Sequence, residues 1–124
     1  MIAYTIVGTN DMAKCGAFYD ELLAEIGGKR VMEIPRVTLW GGAEGTPFFC
    51  AAEPADGNSA SCGNGAMTAL GAASPEEVDR LHAKALELGA TDEGIPGPRE
   101  NGDLKFYSGY FRDLDGNKLS FFCM

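Results

Sequence analysis

The sequence predicts an α+β protein of two βαβββ modules, whose mainly antiparallel sheets curve around a cleft. Three observations predict it. Tyr4-Thr-Ile-Val-Gly8 is echoed by Met67-Thr-Ala-Leu-Gly71, and the echo continues as Phe18, Leu22 and Leu23 correspond to Leu81, Ala85 and Leu86. Such long-period self-similarity signals two copies of one unit. In both halves a strand-like run leads into a helix with apolar residues three and four apart. The chain also ends in two strand-like runs flanking Asp115-Gly116-Asn117, residue types that tolerate the positive φ of a tight hairpin.

In the first copy, Ile2 to Gly8 reads as a strand. Asn10 or Asp11 can cap a helix carrying Met12, Cys15, Phe18, Tyr19, Leu22, Leu23 and Ile26 on its apolar side. Gly27-Gly28 stops it. Strands follow at Arg30 to Ile34, Val37 to Trp40 and Pro47 to Ala52, the first pair divided by Pro35. Glu53 to Gly65 is rich in turn formers and is expected to be a linker without structure of its own.

In the second copy, Ala66 to Ala73 is a strand. Ser74-Pro75-Glu76-Glu77 starts a helix, with Ser74 as N-cap, Pro75 in the first turn and Glu77 closing a capping box. Val78, Leu81, Ala85 and Leu88 form its buried stripe, and Gly89 ends it. A strand around Thr91 to Ile95 leads into a loop from Pro96 to Gly102. Lys105 to Arg112 and Lys118 to Cys123 complete the copy.

A length of 124 residues suits one domain, 1–124, with modules at about 1–55 and 64–124. It is small enough to favour a homodimer. No apolar run approaches a membrane span. Met1-Ile2-Ala3-Tyr4 enters the first strand without a basic, apolar leader, so a cytoplasmic location is expected. The net charge of −8 argues against nucleic acid and anionic membrane as partners. It is compatible with a neutral or cationic small ligand, or simply with solubility. Cys15, Cys50, Cys62 and Cys123 stand far apart and read as free thiols, Cys62 in a polar loop being the most reactive.

Ala17-Phe18-Tyr19-Asp20 on the first helix, Gly63-Asn64-Gly65 opening the second module, and Phe111-Arg112-Asp113-Leu114-Asp115-Gly116-Asn117-Lys118-Leu119 at the end carry a resemblance. The chain resembles, over essentially its full length, the glyoxalase/bleomycin-resistance/dioxygenase family, the vicinal oxygen chelate superfamily. The ending is similar to the family's F-x-D-P-D-G-N-x-I-E, with Leu114 where proline is usual. The resemblance implies, in metal-using members, a cleft metal held by a His on the first strand of each module and a carboxylate on the last strand. Some add a Glu or Gln on the fourth strand. At the matching positions this chain has Tyr4, Met67, Ser120 and, within a residue of register, Cys50.

These replacements are poor ligands for a divalent first-row metal. Tyr4 offers a phenol with an ordinary pKa of about 10, Met67 a soft thioether, and Ser120 a neutral hydroxyl. His82, the one imidazole, falls on the second helix and is expected to be a partly exposed structural residue. No metal, no cofactor and no catalytic residue is therefore assigned. The expected ligand-binding residues are Tyr4, Trp40, Cys50, Met67, Tyr107 and Ser120, with Ile2, Ile6, Phe48, Phe106, Tyr110 and Phe122 nearby. Aromatic walls and two hydroxyls suit a small aromatic or hydrophobic ligand. For any one aromatic, packing in a core is an equally physical fate.

Two function classes follow from the resemblance. One is a metal-free binding protein, for which the acidity would favour a cationic aromatic ligand. The other is a metal-dependent lyase, isomerase or dioxygenase, which needs ligands missing at the matched positions. A thiol enzyme using Cys50 or Cys123 lacks a base in reach, while Tyr4 as an acid–base group stays open.

Overall fold

The computed structural model describes residues 1–124, which divide into two compact units, Met1–Cys62 and Gly63–Met124. The first contains β1 (Tyr4–Gly8), α1 (Met12–Ala24), β2 (Lys29–Ile34), β3 (Val37–Gly41) and β4 (Phe48–Ala52). The second contains β5 (Thr68–Gly71), α2 (Pro75–Glu87), β6 (Thr91–Asn101), β7 (Leu104–Arg112) and β8 (Lys118–Cys123). Each unit is one βαβββ module with a four-stranded sheet, in the orders β1-β4-β3-β2 and β5-β8-β7-β6. The first strand pairs in parallel with the last, and the remaining pairs are antiparallel.

Local chemistry sets the helix ends. Asp11 caps α1 by accepting from the Lys14 N–H at 3.1 Å. The chain leaves α1 through Gly27 at φ 77°, and the Gly28 N–H returns to the Leu23 carbonyl at 2.8 Å. On α2, Ser74 accepts from the Glu77 N–H at 3.2 Å, while the Glu77 carboxylate reaches past the cap to the Ala73 N–H at 2.6 Å.

One face of each sheet packs on its helix. Cys15, Phe18, Tyr19, Leu22 and Leu23 of α1 are buried with Trp40, Phe49 and Ala51. Val78, Leu81 and Ala85 of α2 are buried with Phe111, Leu119 and Phe121. Each such leucine contributes about 1.5–3 kcal/mol of burial.

Two expectations need correction. His82 is buried, not partly exposed: its ring meets Phe111 edge-on, and Nε2 lies 3.0 Å from Asp92 Oδ1. It stands one residue after Leu81, close enough in helical angle to share the buried side. The expected loop from Pro96 to Gly102 is mostly strand, since β6 runs to Asn101. Pro96 and Pro98 are tolerated because β6 is an edge strand with no ladder on its outer side. The linker from Glu53 to Gly65 forms no helix or strand, as expected, and is tied down at Ala60. Asn10 donates to the Ala60 carbonyl at 3.1 Å and accepts from its N–H at 2.7 Å, holding that segment to the first unit.

Pro35 and Arg36 form the β2–β3 turn, where Arg36 adopts φ 68°, a conformation that favours glycine. Arg36 and Glu53 exchange two bonds, guanidinium to carbonyl at 3.0 Å and N–H to carbonyl at 2.9 Å. These offset a backbone strain of about 1 kcal/mol.

Candidate functional site

Strand pairing decides which face each expected residue occupies, because ladder partners share a face and neighbours along a strand alternate. In the first unit, Phe49 pairs with Trp40, and both pack toward Tyr19 of α1. The opposite face therefore carries Tyr4 paired with Phe48, Ile6 with Cys50, Leu39 with Cys50, Met32 with Leu39, and Ile34 with Val37. Tyr4 and Cys50 sit on this open face, in adjacent rows. Tyr4 is 56% exposed, while Cys50 is buried beneath its neighbours. That burial pushes the Cys50 thiol above its ordinary pKa, which disfavours the thiolate a nucleophile needs.

In the second unit, Ser120 pairs with Ala69 and Tyr110, and Phe122 with Gly71 and Ser108. Met67 stands two residues before Ala69, so it continues the same side, and it is exposed. The Phe106 and Phe122 rings lie 5.2 Å apart on this open face. Ser120 is buried among these neighbours, and Ser108 donates to the Phe121 carbonyl at 2.8 Å.

Trp40 and Tyr107 lie on the helix sides. The Trp40 N–H donates to Asp20 Oδ1 of α1 at 2.8 Å, and the indole is fully buried. The Tyr107 hydroxyl donates to Asp79 of α2 at 2.7 Å, which raises its pKa above the ordinary phenol value by hydrogen bonding to a carboxylate. Both are held by structural partners, away from the open faces that carry Tyr4, Cys50, Met67 and Ser120.

The open faces add residues that sequence periodicity did not single out. Val37, Leu39, Met32 and Ile34 extend the first, Met32 and Ile34 being about half exposed. On the second, Tyr110 has two cations against its ring, with Arg99 Cζ 5.6 Å and Lys118 Nζ 5.4 Å from the centroid. A shallow hollow of about 280 Å³ in the first unit is lined by Thr9, Asn10, Arg36, Glu53 and Ser59, and holds none of the expected residues.

The donor set does not fit a divalent metal. The matched positions present a phenol, a thioether, a hydroxyl and a buried thiol, and no three His, Cys, Asp or Glu side chains cluster. His82, with its ring inside the helix-side core, has no path to an open face.

Residues 1–121 match the family described as Glyoxalase/Bleomycin resistance protein/Dioxygenase superfamily. The chain belongs to this superfamily. A glyoxalase/bleomycin resistance protein from Albidiferax ferrireducens is similar at 32% identity and a TM-score of 0.89, with 98% of each chain covered. A hypothetical protein from S. aureus shares the fold at 24% identity and a TM-score of 0.74, covering 100% of this chain and 93% of that one. Lactoylglutathione lyase from Agrobacterium tumefaciens shares it at 20% identity and a TM-score of 0.71, covering 98% and 92%. No curated protein matches. No helix is long and apolar enough to cross a membrane.

Proposed function

We propose that this protein is a metal-free, small-molecule-binding member of the superfamily, whose ligand rests on the sheet faces that the helices leave open. One observation carries the proposal. The first-strand positions, Tyr4 in one unit and Met67 in the other, present exposed amphipathic side chains without a nitrogen donor. On the first unit's open face Ile6 and Phe48 lie beside Tyr4, and on the second unit's Phe106 and Phe122 lie beside Ser120, so each face offers apolar or aromatic surface with a hydroxyl.

The same surfaces favour self-association. Ile6, Met32 and Ile34 are 51%, 53% and 51% exposed on the open face of the first sheet, and such contiguous apolar area is covered in most soluble proteins. The protein is accordingly a homodimer in this reading. A monomer mass by light scattering would remove that part.

The deciding experiment is elemental analysis of purified protein after chelator treatment and metal re-addition. The expected result is no stoichiometric divalent metal and no metal-induced rise in Tm. One tightly held nickel, zinc or iron per chain would overturn the proposal in favour of a metal-dependent lyase, isomerase or dioxygenase.

A further inference from the structure

The charge of the whole chain points one way and the charge of the second unit's open face points the other. Overall the protein carries 18 acidic and 10 basic side chains, which suggests a cationic ligand. On the open face of the β5-β8-β7-β6 sheet, however, the strands contribute Arg99, Arg112 and Lys118, with Glu93 as their acidic neighbour on β6. Arg99 shares a row with Phe106, and Arg112 with Lys118, which places all three cations on the Ser120 side of the sheet. Glu93 is already engaged by Arg112 at 2.9 Å. Arg99 and Lys118 instead reach the ring of Tyr110. Arg99 is oriented by donating to the Ile95 and Pro98 carbonyls at 2.6 and 3.2 Å, contacts that leave its positive charge uncompensated. The acidic residues of α2, Glu76, Glu77, Asp79 and Glu87, belong to the helix on the opposite side of the sheet.

We infer that the ligand of this face is an amphiphilic anion, an aromatic or alkyl carboxylate or a compound of like charge. Its anionic group lies at Lys118 and Arg99 beside Tyr110, and its apolar body lies against Phe106 and Phe122. The spacing supports this division. Both cationic groups lie against Tyr110, which pairs with Ser120, two residues before Phe122 on the same side of β8, so the charged and aromatic ends are separated by roughly 7 Å of strand. A molecule with one acidic end and a ring system fits that length. Arg99 and Lys118 are held against an aromatic ring without a direct carboxylate ion pair, although Glu93 attracts Lys118 through space; such cations are poised to accept an anion, and they repel a ligand of their own sign. This inference rests on the open faces being the ligand surface, as proposed above.

The test compares three probes with one body and different charge: naphthoate, naphthylmethanol and naphthylmethylammonium. Each is titrated into the full chain and followed by amide NMR shifts. Naphthoate is expected to bind about tenfold or more tighter than the ammonium compound, shifting Ser120, Tyr110 and Phe122, with affinity falling as salt rises. Lys118→Gln and Arg99→Gln should each weaken naphthoate about three- to tenfold, while Lys118→Arg restores it. Circular dichroism of each variant checks that the fold is kept. Equal or tighter binding of the ammonium compound on this face would overturn the anion assignment while leaving the ligand surface intact. Lack of binding by all three probes would overturn both.

Discussion

The indole N–H of Trp40 donates to the carboxylate of Asp20 at 2.8 Å, and the same carboxylate takes two bonds from Arg30, at 3.1 and 2.7 Å. One helix side chain thus fixes β3, through Trp40, and β2, through Arg30, whose guanidinium also lies 5.7 Å from the indole centroid. The arrangement turns Trp40 into part of the α1 core. Asp20→Ala removes the acceptor of a buried donor, the Trp40 indole N–H. The expected loss is about 1–2 kcal/mol, chiefly from the orphaned indole, because the half-exposed Arg30 pair contributes less. Urea denaturation followed by tryptophan fluorescence measures it. An unchanged midpoint would show that the hydrogen bond is not a fastener of this sheet.

Ser120 and Trp40 should separate cleanly in their effects. With naphthoate as probe, Ser120→Ala is expected to alter affinity severalfold at nearly constant Tm. Trp40→Phe should lower Tm instead, with affinity little changed. Loss of stability in Ser120→Ala, with binding intact, would contradict the assignment of that position.

Gly109 is held to glycine by its neighbours. A Cβ there would come within 2.9 Å of Pro96 Cγ and 3.0 Å of His82 Nδ1, and the imidazole is locked between Asp92 and Phe111. Gly109→Ala should therefore cost about 1–3 kcal/mol through overpacking. Thermal unfolding tests this, and a neutral outcome would mean that β6 yields easily at Pro96, where its register against β7 shifts between Gly94 and Gly97.

Arg112 holds the Glu93 carboxyl below its ordinary range, mainly by hydrogen bonding. A depressed folded-state pKa stabilises above the unfolded value and loses that contribution as pH falls through the folded value. The stability difference between the native protein and Glu93→Gln should thus be full near neutral pH and shrink below about pH 4.3. Denaturant midpoints across pH 3 to 7 would check it (range set by the carboxylate reference value, about 4.3), and a difference independent of pH would refute it.

Thiol labelling should resolve the cysteines. Cys62 is exposed, whereas Cys15, Cys50 and Cys123 are buried. Iodoacetamide on the native protein should modify Cys62 first, and the other three only on unfolding. Rapid labelling of Cys50 would show that its sheet face opens readily.

The repeat, the helix starts and the terminal hairpin were all written in the sequence, because each depends on residues close together along the chain. Ser74 with Glu77, Asp11 with Lys14, and Asp113 accepting from Asp115 and Asn117 at 2.9 Å are local contacts that spacing alone reveals. The placement of Tyr4 and Ser120 on strands followed from the same repeat, whereas Met67 stands just before β5 rather than on it. Sequence could not decide which face Trp40 and Tyr107 would take. In Val37-Thr-Leu-Trp40 and Phe106-Tyr107 both alternate positions are apolar or aromatic, so period-two reasoning finds no inside. Only cross-strand register, Trp40 beside Phe49 and Tyr107 beside Cys123, assigned them to the helices. Charge behaved likewise: composition sums every residue, whereas a ligand meets the few that pairing gathers on one face, and here that gathering is basic.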